Sequence, residues 1–86
     1  MVIKYAHTAK KAIEMLDSQI KSRIKTAILG LTEKPPKGDI KPMQGCKDGR
    51  LRLRVGGYRV IYKYLLDGTL EILYIMNVGA RGDIYK

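Results

Sequence analysis

The chain has 86 residues, with 17 Lys and Arg against 8 Asp and Glu, so its formal net charge is +9. This length predicts a single domain, residues 1–86, and excludes a doubly wound cofactor sheet. With one Cys and one His, neither an internal disulfide framework nor a metal site of the usual zinc kind can form within one chain. No apolar run approaches the roughly 18 residues of a membrane span, and the N-terminus lacks a signal-peptide pattern. We therefore expect a cytoplasmic protein that needs no cofactor and does not enter a membrane.

The first part of the chain predicts a strand followed by two helices. Residues 2–5 are rich in β-forming side chains and predict a strand. Thr8 is the predicted cap of a helix that runs to about Asp17, where Asp17 and Ser18 predict a break and a new cap. The second predicted helix covers about residues 19–32. Its apolar stripe has helical spacing and consists of Ile20, Ile24, Ile28 and Leu31.

The second part changes from helical to strand periodicity. Residues 34–49 hold all three prolines and predict a loop. Residues 50–55 alternate between Arg and aliphatic side chains, which predicts a strand with one buried face. The remaining predictions are a hairpin turn at Gly56-Gly57, a strand from Tyr58 to Leu66, a turn at Asp67-Gly68, a strand from Thr69 to Met76 and a tail over residues 77–86. The order β-α-α-β-β-β predicts an α+β fold, with a two-helix hairpin packed on one face of a mainly antiparallel sheet.

The predicted hairpin concentrates positive charge on one face. A two-residue turn at Gly56-Gly57 pairs Arg54 with Arg59 and Arg52 with Ile61. An ordinary solvated face would mix Glu, Thr and Lys, whereas every outward position of the first strand is Arg. Because the planar guanidinium group suits phosphate, we predict a phosphate-rich ligand on this face. The face comprises Arg50, Arg52, Arg54, Arg59 and Lys63, and Tyr74 is a candidate to join it and stack a base.

The residue types favour chemistry on phosphodiesters. The sequence contains no serine–histidine–acid set, no P-loop and no dinucleotide glycine pattern. Arginines can bind a phosphodiester and stabilise the charge that develops on it during cleavage. RNA brings its own nucleophile, the 2′-hydroxyl, so the protein need not supply one. Arg81 and Tyr85 follow the last predicted strand; taken alone, a surface charge and a packing tyrosine are their favoured interpretations.

Two stretches resemble the RelE/ParE toxins of bacterial toxin–antitoxin pairs. They are Arg50–Tyr62, with the sequence RLRLRVGGYRVIY, and Val78–Tyr85, with the sequence VGARGDIY. Chain length, the two helices and the Leu-x-x-Lys-Pro loop extend the resemblance over nearly the whole chain. It implies the RelE-like fold and one of two activities. RelE-like members cleave mRNA in the ribosomal A site, and ParE-like members act on DNA gyrase without the ribonuclease residues.

The resemblance also implies roles for individual residues and favours the RelE side. Arg50 and Arg52 stand where RelE-type proteins have two cleft lysines, a departure that matters because arginine is not readily deprotonated. The implied catalytic residues are Arg59 and Arg81 on the phosphate and Tyr85 on the 2′-hydroxyl; the implied RNA-binding residues are Arg50, Arg52, Arg54 and Lys63. The implied partners are mRNA, rRNA and a cognate antitoxin. The alternatives are a ParE-like gyrase inhibitor and an inactive homologue or plain RNA-binding domain.

Overall fold

Five strands form one sheet in the computed structural model, within residues 1–45 and 48–80, which the structure describes. The strand order is β1-β5-β4-β3-β2, with β1 and β5 parallel and the other neighbours antiparallel. The α+β class predicted from the sequence is confirmed, with one strand more than expected. In chain order the elements are β1 (Val2–Tyr5), α1 (His7–Glu14), α2 (Ser18–Gly30), β2 (Asp39–Pro42), β3 (Leu51–Val55), β4 (Tyr58–Asp67) and β5 (Leu70–Ala80).

The helices cover one face of the sheet. Ile24 and Ile28 on α2, with Leu31 just after it, are fully buried, as the apolar stripe predicts. They pack with side chains that point inward from alternate positions of the central strands. The core cluster consists of Ala9, Ile13, Ile24, Ile28, Leu31, Leu53, Val60, Tyr62, Leu73, Ile75 and Val78. The helices do not cover the opposite face of the same strands.

The caps of the two helices differ in how well the sequence predicts them. Asp17 caps α2, because its carboxylate accepts a hydrogen bond from the Ile20 amide at 3.0 Å. The prediction that Thr8 caps α1 is wrong, since α1 begins at His7 and its N-cap residue is Ala6. The amide of Ala6 is still bonded to the Ile75 carbonyl at 2.8 Å. The chain therefore passes from β1 into the helix before it reaches Thr8.

Strand β2 lies inside the segment predicted to be a loop. It pairs antiparallel with β3, so that Ile40 lies opposite Leu53 and Lys41 opposite Arg52. Because β2 is an edge strand, it pairs on one side only, and Pro42 can end it without interrupting a second ladder. The prediction of a loop is thus wrong for these four residues.

Strand β5 is longer than predicted and contains a bulge. Its core-facing residues alternate up to Ile75 and then resume at Val78, which breaks the period of two. The ladder shifts between Ile61 and Tyr62 of β4, so Met76 is an extra residue and the strand continues to Ala80. The prediction of a tail from residue 77 is wrong up to residue 80, and the tail residues 81–86 lie outside the described residues.

The turn between β4 and β5 also differs from the prediction by one residue. Asp67 pairs with Leu70, so the turn residues are Gly68 and Thr69 instead of Asp67 and Gly68. Gly68 has a φ of 63°, a left-handed conformation that suits glycine at this first turn position.

Candidate nucleic-acid interface

The register of the β3–β4 hairpin agrees with the sequence prediction. Val55 pairs with Tyr58, Arg54 with Arg59 and Arg52 with Ile61. Leu53, Val60 and Tyr62 belong to the core beneath the helices, so the alternate positions lie on the opposite, outer face of the sheet. The residues there include Arg52, Arg54, Arg59 and Lys63, and Tyr74 joins them because it pairs with Lys63. Arg50 directly precedes β3.

Two carboxylates offset part of the charge on this face. Asp48 accepts a hydrogen bond from Nε of Arg50 at 2.8 Å, and Asp39 lies 3.7 Å from a terminal nitrogen of Arg52. The hydrogen bond from Arg50 lowers the pKa of the Asp48 carboxyl below its ordinary value. Both acids come from the segment predicted to be a loop. They explain how neighbouring arginines can share a sheet face whose like charges would otherwise repel.

A recess of about 340 Å³ opens on the outer face where β2 meets the hairpin. Arg52 and Arg59 contribute from the sheet itself, while the other lining comes from β2 and the residues after it. The Arg59 residue is only 8% exposed and the Arg52 side chain 12% exposed. A positive charge so little solvated attracts an anion more strongly than one in open water. The lining residues are Lys41, Pro42, Met43, Gln44, Arg52 and Arg59.

Lys41 is the lining cation that the sequence did not predict. It lies opposite Arg52 in the ladder, which brings its amine to the same face. The available signal was the alternation of Asp39, Ile40 and Lys41, in which Ile40 packs against the core. Prolines on both sides hid that signal, because they make the segment read as a loop.

The other predicted site residues fall into two groups. Arg50, Arg54 and Lys63 lie on or beside the outer face, but they do not line the recess. Arg81 and Tyr85 lie outside the described residues, so their roles stay predictions. Within the described ranges, no group of three or more His, Cys, Asp and Glu side chains is arranged to hold a metal ion. No helix in this part of the chain has the length and apolar character needed to cross a membrane.

Comparison with known proteins links the fold to toxins. A family model described as "ParE toxin of type II toxin-antitoxin system, parDE" matches residues 3–85. The fold is similar to that of the YoeB/ParE toxin from Agrobacterium tumefaciens, with a TM-score of 0.80 at 17% identity, over 94% of this chain and 99% of that one. It is also similar to a chain of the RelB–RelE antitoxin–toxin complex from Methanococcus jannaschii, with a TM-score of 0.68 at 28% identity, over 94% and 93%. For the isolated E. coli RelE toxin the TM-score is 0.67 at 24% identity, over 98% and 89%. No curated protein sequence matches the chain.

Proposed function

The chain belongs to the ParE toxin family of type II toxin–antitoxin systems, and on that premise we propose that it is a ribosome-dependent mRNA endoribonuclease that inhibits translation. The family predicted from the sequence, the RelE/ParE toxins, is confirmed. The observation that carries the proposal is the cationic recess on the outer face of the sheet. Lys41, Arg52 and Arg59 line it together, and a single-stranded RNA backbone offers the anion that such a recess binds.

The proposed reaction is an attack of the RNA 2′-oxygen on the adjacent phosphorus. The new P–O bond forms as the bond to the 5′-oxygen breaks, which leaves a 2′,3′-cyclic phosphate and a 5′-hydroxyl. The proton lost by the 2′-hydroxyl is balanced by the proton gained at the 5′-oxygen. The main task of the protein is then to hold the phosphate in line and to stabilise the charge on its oxygens.

In this proposal some residues bind the RNA backbone, and others act at the reacting atoms. Arg52 and Arg59 bind the phosphate in the recess, with Lys41 adding charge at its edge. By the family resemblance, Arg81 steadies the scissile phosphate and Tyr85 places the 2′-hydroxyl. Arg50, Arg54 and Lys63 extend the cationic face and bind the neighbouring backbone, so they contribute affinity without contacting the reacting atoms.

Mapping of mRNA 5′ ends after brief induction tests the proposal. We expect new ends inside codons of translated regions with the wild-type chain, and loss of these ends by at least about tenfold with Arg59→Ala, Arg81→Ala or Tyr85→Phe, since each removes a group that acts on the phosphate or nucleophile. Lys25→Ala is the matched control, because Lys25 is exposed on α2 and the helices cover the other face of the sheet. Wild-type cutting by all three site variants would contradict the site assignment.

The rival function is inhibition of DNA gyrase, which the ParE name of the matching family favours. A gyrase inhibitor would cause DNA breaks and an SOS response before translation stops, with no new mRNA ends inside codons. Recording both readouts in the same time course separates the two functions. DNA breaks without mRNA cleavage would replace the proposed function by inhibition of gyrase. Growth without either effect would indicate an inactive homologue.

The proposed regulatory partner is a cognate antitoxin with an acidic segment. Similar chains are known from antitoxin–toxin complexes, including the RelB–RelE complex from Methanococcus jannaschii. The net charge of +9 would attract an acidic segment, and the cationic face offers a surface for it. We expect the affinity for the product of a neighbouring small gene to fall as the salt concentration rises, because salt screens attraction between exposed charges. Salt-independent binding would contradict an electrostatic interface.

A further inference from the structure

The recess on the outer face has two unlike sides. Its floor on β3 and β4 is cationic, since Arg52 and Arg59 line it there. The side formed by the end of β2 and the residues that follow is largely uncharged, and we call Pro42, Met43 and Gln44 the uncharged wall. A site for phosphate alone would need only the first side. The second side offers contacts for an uncharged part of the ligand.

The ladder holds the uncharged wall at a fixed place beside the arginines. Pro42 lies opposite Leu51, and the Met43 amide donates a hydrogen bond to the Arg50 carbonyl at 3.2 Å. The pairing of β2 with β3 thus continues one residue past the strand. Gln44 follows at once, in a turn, with its side chain exposed. The positions of wall and floor are consequently coupled through a single pair of strands.

The volume of about 340 Å³ lies at the small end of the range for ligand sites, which starts at roughly 300 Å³. It suits one nucleotide unit and does not suit a duplex. Proteins recognise unpaired RNA bases by contact with the base plane and by hydrogen bonds to the base edge. Pro42 and the half-buried Met43 offer apolar contact for a base plane. Gln44 offers a carboxamide, which has both a donor and an acceptor.

The geometry points to a nucleobase site formed by the uncharged wall, in which Gln44 selects the base next to the phosphate held by Arg52 and Arg59. The inference deepens the proposed function and rests on RNA being the ligand. Adenine is the expected base, because it presents a donor beside an acceptor on both its Watson–Crick and its Hoogsteen edge, so that the glutamine amide can pair with it in either orientation. Gln44 is in this sense a specificity-determining residue, while the arginines bind any base sequence equally.

Binding of short single-stranded RNAs that cannot be cleaved tests the inference apart from catalysis. Fluorescein-labelled oligonucleotides with 2′-O-methyl riboses, identical except for one base in a uridine background, are titrated with the purified full chain. We expect the wild-type chain to bind the adenine oligonucleotide about tenfold more tightly than the cytosine one. Gln44→Ala should reduce this ratio to about one and barely change binding to the uridine background, because the phosphate contacts stay intact.

Two further variants sharpen the result. Gln44→Glu keeps the size of the side chain but leaves only acceptors, so the preference should move towards cytosine, whose amino group is a donor. Gln19→Ala is the matched control, since Gln19 is exposed on α2 and the helices pack on the other face. A base preference that is the same in Gln44→Ala and wild type, or no preference at all, would overturn this inference and leave the proposed function standing. Failure to bind any of the RNAs would also overturn this inference, while the proposed function is judged separately by the mapping of mRNA 5′ ends.

Discussion

On the face of β3 and β4 that meets the helices, Leu53, Val60 and Tyr62 are at most 1% exposed. On the other face of the same two strands, Arg54 lies opposite Arg59 and Arg52 lies near Asp39. The first face gains its free energy from apolar area removed from water. On the second face, neighbouring arginines repel one another, and nearby carboxylates reduce that repulsion. The difference teaches that one face maintains the fold, while the other presents the positive charge on which the proposed function rests.

This comparison predicts that substitutions on the two faces have separable effects. A change on the helix-facing side should alter the free energy of unfolding before it alters binding. A change on the outer face should alter anion binding with little effect on unfolding. Tyr62 and Arg59 illustrate this separation. Both are buried residues of β4 with polar groups, yet their side chains point to opposite faces of the sheet.

The largest expected effect is that of Leu53→Ala. Leu53 is 1% exposed at the centre of the core, so its truncation should lower the free energy of unfolding by about 2–5 kcal/mol through lost burial and a cavity. Urea denaturation followed by circular dichroism measures the change. The matched control is Arg54→Ala, one residue along and exposed on the outer face, which should change stability by less than about 0.5 kcal/mol. Equal losses from both variants would contradict the division between the faces.

The next effect is expected at Gly38, which leads into β2. Its φ is 130°, and a Cβ placed there would lie 2.5 Å from Cδ1 of Leu53. Gly38→Ala should therefore destabilise the chain by about 1–3 kcal/mol through backbone strain and the displaced Leu53 side chain. In Gly57→Ala, by contrast, the new Cβ meets no described atom within 4 Å, and stability should change little. Thermal melts measure the stability of both variants. An unchanged melting temperature of Gly38→Ala would show that the start of β2 can move away from Leu53 without a cost in stability.

The role of β2 shows why part of the site could not be predicted from the sequence. The strict alternation of Arg and aliphatic residues over 50–55 and the Gly56-Gly57 turn were sufficient to predict the hairpin register and its cationic face. The alternation of Asp39, Ile40 and Lys41 is too short to mark a strand by itself, because β2 is stabilised by the neighbouring β3, follows a glycine and ends in a proline. Lys41 and Gln44 were missed for that reason. The bulge at Met76 was missed because the broken alternation of β5 resembles the end of a strand.

A smaller effect is expected from the hydroxyls of two core-facing tyrosines. The Tyr64 hydroxyl donates a hydrogen bond to the Leu31 carbonyl at 2.8 Å, so Tyr64→Phe should cost about 1 kcal/mol. The buried Tyr62 hydroxyl has no hydrogen-bond partner within the described chain, and Tyr62→Phe should be neutral or stabilising. Denaturant midpoints of the two variants measure the contrast. A larger loss at Tyr62 than at Tyr64 would contradict it.

Burial also raises the pKa of the Tyr62 hydroxyl above its ordinary value, which gives the same contrast a pH dependence. A raised pKa in the folded state means that the neutral form is favoured by folding. The contribution of this raised pKa to the free energy of unfolding is therefore complete below the ordinary tyrosine pKa of about 10 and is lost as the pH rises above it. Stability of the wild-type chain should fall more steeply above that pH than stability of Tyr62→Phe. Parallel slopes would show that Tyr62 does not ionise on unfolding.

The smallest expected effect concerns Asp48 on the cationic face, where it competes with the proposed RNA phosphate for Arg50. The 2.8 Å hydrogen bond between them is exposed, and pairs of this kind contribute little net free energy. Asp48→Asn should raise the affinity for non-cleavable RNA by about twofold, because Arg50 then meets a phosphate without first leaving a carboxylate. The control is Asp67→Asn at the far end of β4, where an acid is removed with the same change of net charge. If both variants raise RNA affinity equally, the gain comes from net charge alone, and Asp48 has no special relation to Arg50.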